Sequence, residues 1–116
     1  MRILFDKNVP VGLRNFLPGQ EVWTFVRTGW PAQLENGELL RSAENNGFDV
    51  MVTADQNIRY QQNLAGRKLA LVVLGSNVWP IVKAHATEVA AAVDLATTGS
   101  YRFIEMPVPR KPRFSK

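Results

Sequence analysis

The sequence contains no cysteine and only one histidine, His85. Without cysteine, the chain cannot form disulfides, thiolate zinc sites or a cysteine nucleophile. His85 lies far along the chain from the candidate acidic residues, which disfavours a triad of the Ser-His-Asp type. A Gly-rich phosphate-binding loop is missing as well. Carboxylates and amides therefore remain as the groups from which a functional site would be built.

The sequence also lacks a long apolar run. No segment approaches the roughly 20 residues that a membrane-spanning helix requires. Only three apolar residues separate Arg2 from Asp6, too few for the apolar region of a signal peptide. We therefore expect a soluble, cytoplasmic protein with no membrane partner.

Acidic residues are missing from one part of the chain, the segment 107–116. The formal net charge is +4, and this segment accounts for all of it, because residues 1–106 contain ten basic and ten acidic side chains. Its three prolines favour an extended segment over a helix. We predict a folded domain over residues 1–106 and a flexible, basic, Pro-rich tail over 107–116. The tail is interpreted either as a contact for RNA phosphates or as a solubilising terminus.

The chain does contain short apolar segments that alternate with helical patterns. With 116 residues, 46% of them apolar, one packed domain is expected. Strands are predicted at residues 1–5, 21–25, 49–53, 69–74 and 101–106, and helices at 11–16, 36–45, 56–63 and 80–96. This alternation predicts an α/β fold, a three-layer α/β/α sandwich with a mostly parallel central sheet.

Local signals refine this prediction at a few positions. The run LALVVL at 69–74 is the most continuous apolar stretch and is predicted as the central strand, whereas the last strand is predicted as an edge. Residues 27–34 show no clear period and are predicted as a loop. Asn36 is predicted as the N-cap of the helix that follows, which Asn46-Gly47 then ends.

Two of the predicted strands are followed by an aspartate, Asp6 in ILFD and Asp55 in MVTAD. In open parallel sheets, ligands bind beyond the carboxyl ends of the strands. If the two strands are neighbours, both carboxylates converge there, and the first turn of the helix at 36–45 brings Glu38 to the same place. Such acids repel one another unless a cation neutralises them. Mg²⁺ or Mn²⁺ suits oxygen ligands of this kind and carries waters that attack phosphodiesters.

Each of these acids also has a plainer interpretation. Asp55 is placed to cap a helix at 56–63, and Asp6 is placed to cap the turn before Pro10. Glu38 is a common choice for a first helical turn and is usually solvated there. Only the convergence of all three acids favours the metal site over these local roles.

The residues around these acids resemble those of a known family. The opening LFDKNVP resembles the LFDxNxP start of the short PIN-like proteins, relatives of toxin-type PIN ribonucleases. The block NGELLRSAENNGFDVMVTADQN resembles that group's acidic helix start, helix, strand and TxDxD turn. With LALVVL, the resemblance covers nearly all of residues 1–75. It implies a PIN-like fold, Mg²⁺- or Mn²⁺-dependent RNA cleavage, an antitoxin protein as partner, and a homodimer.

Carried over by position, the resemblance makes Asp6 the first metal ligand and Asp55 a later one. The second acid of the family pattern falls on Asn36, with Glu38 nearby, and the fourth falls on Asn57. Each amide removes one negative charge, so Asp6, Glu38 and Asp55 would supply −3 and bind one divalent ion more weakly than four acids would. The same motifs contain two further residues expected to support the site, Asn8 and Thr53.

The segment IRYQQNL follows the second aspartate and is rich in amides. Its amides are interpreted either as readers of RNA bases or sugars, with an aromatic ring for stacking, or as a buried hydrogen-bond network. Arginines nearby are interpreted as phosphate contacts or as ordinary solvated residues. The residues concerned are Arg59, Tyr60, Gln61, Gln62, Asn63 and, earlier in the chain, Arg14.

Three functions follow from these patterns. The first is a metal-dependent ribonuclease, with the toxin half of a toxin–antitoxin pair as its biological role. The second is a PIN-like scaffold that has lost catalysis and binds RNA or a protein, which Asn36 and Asn57 favour. The third is a phosphoacceptor receiver domain. It is disfavoured because a receiver usually has a second acid where Lys7 stands and a lysine after the last strand, where this chain has Pro107.

Overall fold

The computed structural model describes residues 1–58 and 66–107, apart from the side chain of Asn36. These residues form a five-stranded sheet in the order β2-β1-β3-β4-β5, and every neighbouring pair is parallel. The strands are β1 (Arg2–Phe5), β2 (Glu21–Thr24), β3 (Val50–Thr53), β4 (Ala70–Leu74) and β5 (Tyr101–Ile104). The prediction of an α/β fold with a parallel sheet is confirmed.

Helices of one to three turns connect the strands. Those of the described residues are a 3-10 helix, η1 (Val11–Phe16), and four α-helices: α1 (Phe25–Thr28), α2 (Asn36–Asn45), α3 (Trp79–Ala84) and α4 (Ala86–Asp94). No helix within the described ranges is long and apolar enough to span a bilayer. Most of the helix predicted at 56–63 and most of the tail predicted at 107–116 lie outside the described residues.

Both faces of the sheet are covered by apolar side chains. Because successive side chains of a strand point to opposite faces, Ile3 and Phe5 belong to one cluster and Leu4 to the other. The first cluster is completed by residues of η1, α3 and α4, and the second by residues of α2 together with Phe25. The strands β3 and β4 are buried along their whole length, as expected for interior strands of a parallel sheet.

The strand order corrects one prediction about the sheet. LALVVL supplies β4, which is an interior strand, but the middle of the sheet is β3. Both strands are fully buried, so apolar content could not distinguish them. The prediction of β5 as an edge strand is confirmed.

Three helix boundaries also differ from prediction. The helix predicted at 80–96 is two helices, α3 and α4, separated at His85, whose backbone leaves helical geometry with a φ of −109° and a ψ of 13°. The predicted loop at 27–34 overlaps α1, which begins early because the Thr24 hydroxyl accepts a hydrogen bond from Arg27 N–H. The N-cap of α2 is Glu35, in extended conformation, and Asn36 is already the first helical residue.

Candidate functional site at the carboxyl edge of the sheet

The carboxyl ends of β1 and β3 border a cleft at the point where the chain changes direction across the sheet. The connection from β1 to β2 contains η1 and covers one face, whereas the connection from β2 to β3 contains α2 and covers the other. Crevices of this kind are the usual ligand sites of parallel α/β sheets. The cleft has a volume of about 370 Å³ and is lined by Asp6, Lys7, Asn8, Glu35, Leu39, Asp55 and Ile58.

Asp6 is held in place by the two strands that border the cleft. Its backbone N–H donates to the Val52 carbonyl at 2.9 Å, which extends the β1–β3 ladder by one residue. Its side chain accepts two hydrogen bonds, from Lys7 N–H to Oδ1 and from the Thr53 hydroxyl to Oδ2, both at 2.7 Å. The carboxylate is therefore half-buried and oriented before any ligand arrives.

Thr53 links the two aspartates. Its side chain is completely buried at the end of β3, and its Oγ1 donates to Asp6 while accepting from the Asp55 N–H at 3.1 Å. Asp55 Oδ1 in turn accepts from Asn57 N–H at 3.0 Å. One hydroxyl thus couples the carboxylate that follows β1 to the backbone that follows β3.

Asn8 makes a second link between these segments. Its Oδ1 accepts a hydrogen bond from Ala54 N–H at 3.1 Å. At the same edge of the sheet, Gln56 Nε2 donates to the Gly75 carbonyl at 3.1 Å, which ties the segment after β3 to the segment after β4. The segments that follow β1, β3 and β4 are therefore connected by hydrogen bonds.

The charges around the cleft are mostly negative. Asp6, Asp55 and Glu35 face one basic residue, Lys7, among the lining residues. The Lys7 ammonium does not pair with these acids but donates to the carbonyls of Ala32 at 2.7 Å and Leu34 at 3.0 Å. Within the described part of the chain, no basic group lies within ion-pair distance of Asp6 or Asp55.

The acid that α2 brings to the cleft differs from the one expected. Glu38 is exposed and is not among the lining residues, whereas Glu35, one turn earlier, is. Among residues 1–58 and 66–107, no three acidic or histidine side chains are close enough to hold a metal ion together. Two aspartates therefore share the cleft with Glu35 at its wall, without a compact cluster of three acids.

The remaining predicted site residues fall into two groups. Asn57 is exposed and contacts Asp55 through its backbone, and Arg14 is exposed on η1, away from the cleft lining. The side chain of Asn36 lies outside the part of the chain that the structure describes. So do the residues Arg59, Tyr60, Gln61, Gln62 and Asn63.

Sequence reasoning missed Lys7 and Glu35 as neighbours of the aspartates. Lys7 directly follows Asp6, which is a usable signal, because the residue after a strand-end acid also lies at the sheet edge. Glu35 gave no signal, because its position depends on where α2 begins and on how the preceding loop returns to the sheet.

A second cavity of similar size, about 390 Å³, lies at the opposite, amino-terminal edge of the sheet. Two acids line it, Asp49 and Glu44; Glu44 is paired with Arg67 Nη1 at 3.0 Å and accepts from the backbone N–H groups of Lys68 at 2.6 Å and Leu69 at 3.1 Å. Burial by itself would raise the pKa of Glu44, but these hydrogen bonds and the Arg67 charge together hold it below 4.5.

Comparison of the chain with protein-family models, with curated proteins and with solved structures found no match. The geometry of the cleft at the carboxyl edge is therefore the basis on which a function is inferred.

Proposed function

We propose that the protein is a PIN-like ribonuclease that depends on a divalent cation and uses the cleft between β1 and β3. One observation carries the proposal. Asp6 and Asp55 border the same cleft, and no basic group in the described residues pairs with either carboxylate. The apolar clusters on both faces of the sheet support the finer assignment of the fold as a three-layer, PIN-like sandwich.

The donor groups of the cleft fit a hard divalent cation. Three lining acids against one lysine leave an excess of negative charge, which a doubly charged ion relieves. Each carboxylate oxygen of Asp6 accepts one hydrogen bond. Because a carboxylate oxygen has two lone pairs, each oxygen retains one lone pair that can coordinate a metal ion. Carboxylate and water oxygens are the ligands that Mg²⁺ and Mn²⁺ prefer.

In the proposed reaction, Asp6 and Asp55 would hold the ion, and the hydrogen bonds of Thr53 and Asn8 would fix the geometry of the two segments that carry them. A bound Mg²⁺ or Mn²⁺ would supply an activated water and stabilise the charge that develops on a phosphodiester. Glu35 is exposed at the cleft wall, where its carboxylate can accept a proton from a water. The buried Thr53 hydroxyl donates to Asp6 Oδ2 and so restrains rotation of the Asp6 carboxylate.

The biological setting of this activity rests on the resemblance of residues 1–75 to short PIN-like proteins. It comprises RNA as substrate, a role as the toxin of a toxin–antitoxin pair with an antitoxin protein as partner, a homodimer, and a cytoplasmic location. An assay of Mn²⁺-dependent RNA cleavage tests directly whether RNA is the substrate.

A second candidate function is a PIN-like scaffold that binds RNA or a protein without cleaving RNA. It is favoured by the lack of a three-acid group within the described ranges and by an amide, Asn57, in place of an acid. In this case Asp6 and Asp55 act chiefly as hydrogen-bond acceptors that order the sheet edge.

The first experiment measures Mn²⁺ binding by calorimetry in the wild type, Asp6→Asn and Asp55→Asn. We expect one site in the wild type and an affinity reduced by about 10-fold or more in each variant, because each loses a charged ligand. Asp94→Asn is the matched control, since Asp94 is exposed and bonded to Gln20, which precedes β2 at the opposite edge. Its affinity for Mn²⁺ should equal that of the wild type.

The second experiment measures Mn²⁺-dependent cleavage of RNA by the same proteins. Loss of cleavage in both cleft variants but not in Asp94→Asn supports the ribonuclease. Binding of Mn²⁺ without cleavage favours the binding scaffold instead. A wild type that binds no Mn²⁺, or equal cleavage by all four proteins, would remove the proposed function.

A further inference from the structure

We propose that Lys7 is a positioning residue of the cleft, which holds the segment before α2 so that Glu35 lines the same cleft as Asp6 and Asp55. This inference rests on the proposed function, because it gives the negative charge of Glu35, at the wall of the cleft and not in a three-acid cluster of the described residues, a part in attracting the cation that Asp6 and Asp55 would hold. The Lys7 side chain contacts the loop before α2 and reaches the residue that precedes Glu35.

The contacts of Lys7 join two segments that are distant in sequence. Its backbone N–H donates to Asp6 Oδ1, and its ammonium donates to the carbonyls of Ala32 at 2.7 Å and Leu34 at 3.0 Å. Hydrogen bonds from a charged donor are among the stronger ones in proteins. Lys7 therefore fastens the loop before α2 directly to the strand end that carries Asp6.

The Lys7 ammonium also lies next to a buried aromatic ring. The Lys7 ammonium lies 4.9 Å from the centre of the Phe25 ring, in cation–π distance, and Phe25 is only 5% exposed. Phe25 in turn contacts Trp30 edge to face, with ring centres 6.3 Å apart. The Lys7 ammonium thus contacts the Phe25 ring as well as the loop before α2.

The loop contact ends one residue before Glu35. Leu34, whose carbonyl accepts from Lys7, also donates its N–H to the Pro31 carbonyl at 2.9 Å and closes a turn. Glu35 follows in extended conformation, and α2 starts at the next residue. Because Glu35 is exposed and makes no side-chain cap, its direction depends on the backbone that Lys7 holds.

Two physical effects of Lys7 on a bound cation have opposite signs. Its positive charge in the cleft repels a cation, so removal of the charge alone would tighten Mn²⁺ binding. Its hydrogen bonds to the loop keep Glu35 at the cleft, so loss of these bonds would weaken Mn²⁺ binding if Lys7 acts through Glu35. The sign of the change in Lys7→Met therefore separates a positioning role from a simple charge effect.

The experiment begins with hydrogen exchange of the metal-free wild type and Lys7→Met. We expect faster exchange at the Leu34 amide in the variant and unchanged exchange in β3, because the fold stays intact while the turn is released. Lys83→Met, which removes an exposed charge from α3, is the control and should leave the Leu34 amide unchanged. Unchanged exchange in Lys7→Met would overturn the inference at this step.

Calorimetry with Mn²⁺ then tests the coupling to Glu35. We expect Lys7→Met to bind Mn²⁺ about 3-fold to 10-fold more weakly, Glu35→Gln to lose a similar factor, and the double variant to be no weaker than Glu35→Gln alone. Lys7→Arg, which retains a charged donor, should recover part of the loss.

Other outcomes of the calorimetry overturn the inference. Equal or tighter binding by Lys7→Met would mean that Lys7 acts only through its charge, and losses that add in the double variant would mean that it acts independently of Glu35. Failure of the proposed function is recognised separately, because the wild type itself would then bind no Mn²⁺. That result would also remove the positioning role of Lys7.

Discussion

The two edges of the sheet carry cavities of nearly equal volume, about 390 Å³ at the amino edge and about 370 Å³ at the carboxyl edge. They differ in how their acids are neutralised. Glu44 at the amino edge has an arginine and two backbone donors, whereas the aspartates of the cleft have hydrogen bonds but no cationic partner in the described residues. Cavity volume does not distinguish the two edges, whereas the ion pair of Glu44 with Arg67 does; Asp49, the other acid of the amino-edge cavity, has a backbone donor and no ion pair among the described residues.

The acids at the amino edge bind backbone N–H groups at the starts of strands. Asp49, also at the amino edge, accepts from Arg2 N–H at 2.8 Å and so fixes the start of β1. Glu44 fixes the start of β4 in the same way. Glu44 and Asp49 thus fix the starts of strands, whereas Asp6 and Asp55 follow the ends of strands and have no ion pair among the described residues.

The largest effect on stability is expected for Glu44→Gln. The amide keeps one acceptor oxygen but loses the ion pair with Arg67 and opposes a donor with a donor, so we expect a loss of about 2–3 kcal/mol in the free energy of unfolding. Urea denaturation at pH 7 measures it. Glu38→Gln, an exposed change on the same helix, is the control and should stay within about 0.5 kcal/mol.

The same pair of variants gives a pH dependence. Because the pKa of Glu44 is lowered in the folded protein, its stabilisation is present above its ordinary value of 4.5 and is lost as the pH falls through the lowered pKa. The difference in unfolding free energy between wild type and Glu44→Gln should therefore be constant above pH 4.5 and shrink below it. A difference that grows on acidification would contradict the hydrogen-bond pattern at this edge.

An intermediate effect is expected for Thr53→Val at the carboxyl edge. The buried hydroxyl serves both Asp6 and the Asp55 N–H, so its loss should cost about 1–2 kcal/mol and also weaken Mn²⁺ binding. Thr53→Ser keeps the hydroxyl and should retain Mn²⁺ affinity within about twofold, although the missing methyl group costs about 1 kcal/mol. Equal Mn²⁺ affinities for valine and serine variants would show that the link between the aspartates has no role in the site.

The smallest effect on stability is expected for Asp55→Asn. The Asp55 side chain accepts a hydrogen bond at Oδ1, which the amide oxygen can still accept, and the substitution relieves repulsion in the cleft, so the metal-free free energy of unfolding should change by less than about 1 kcal/mol. Urea denaturation without metal is the measurement. A loss as large as that of Glu44→Gln would erase the distinction between the two edges.

Much of the fold can be predicted because its signals are local. The predicted helix at 36–45 and the predicted strand ending at Thr53 match the structure nearly residue by residue. Between them, Asn46-Gly47 ends the helix, and Gly47 has a φ of 78°, a conformation that glycine adopts without strain. Apolar runs followed by an aspartate likewise mark the two strand ends at the cleft, whereas the pairing of β1 with β3 is only a condition of that prediction and is seen in the structure.

The features that sequence reasoning misses depend on contacts distant in sequence. The order of strands within the sheet is set by packing, so the most apolar segment is predicted in the middle although β3 lies there. The break at His85 has no local signal, because residues 81–96 contain neither glycine nor proline. Glu35 gives no signal because its place at the cleft depends on Lys7 holding the preceding loop.

The position of β1 inside the sheet has a consequence for synthesis of the chain. Although β1 precedes the other four strands, it needs β3 as its second neighbour, and the Asp6–Thr53 contact spans 47 residues. A nascent chain that stopped before residue 50 would leave β1 with one side unpaired and Asp6 without its buried partner. The cleft between the ends of β1 and β3 can therefore form only after the ribosome has translated β3.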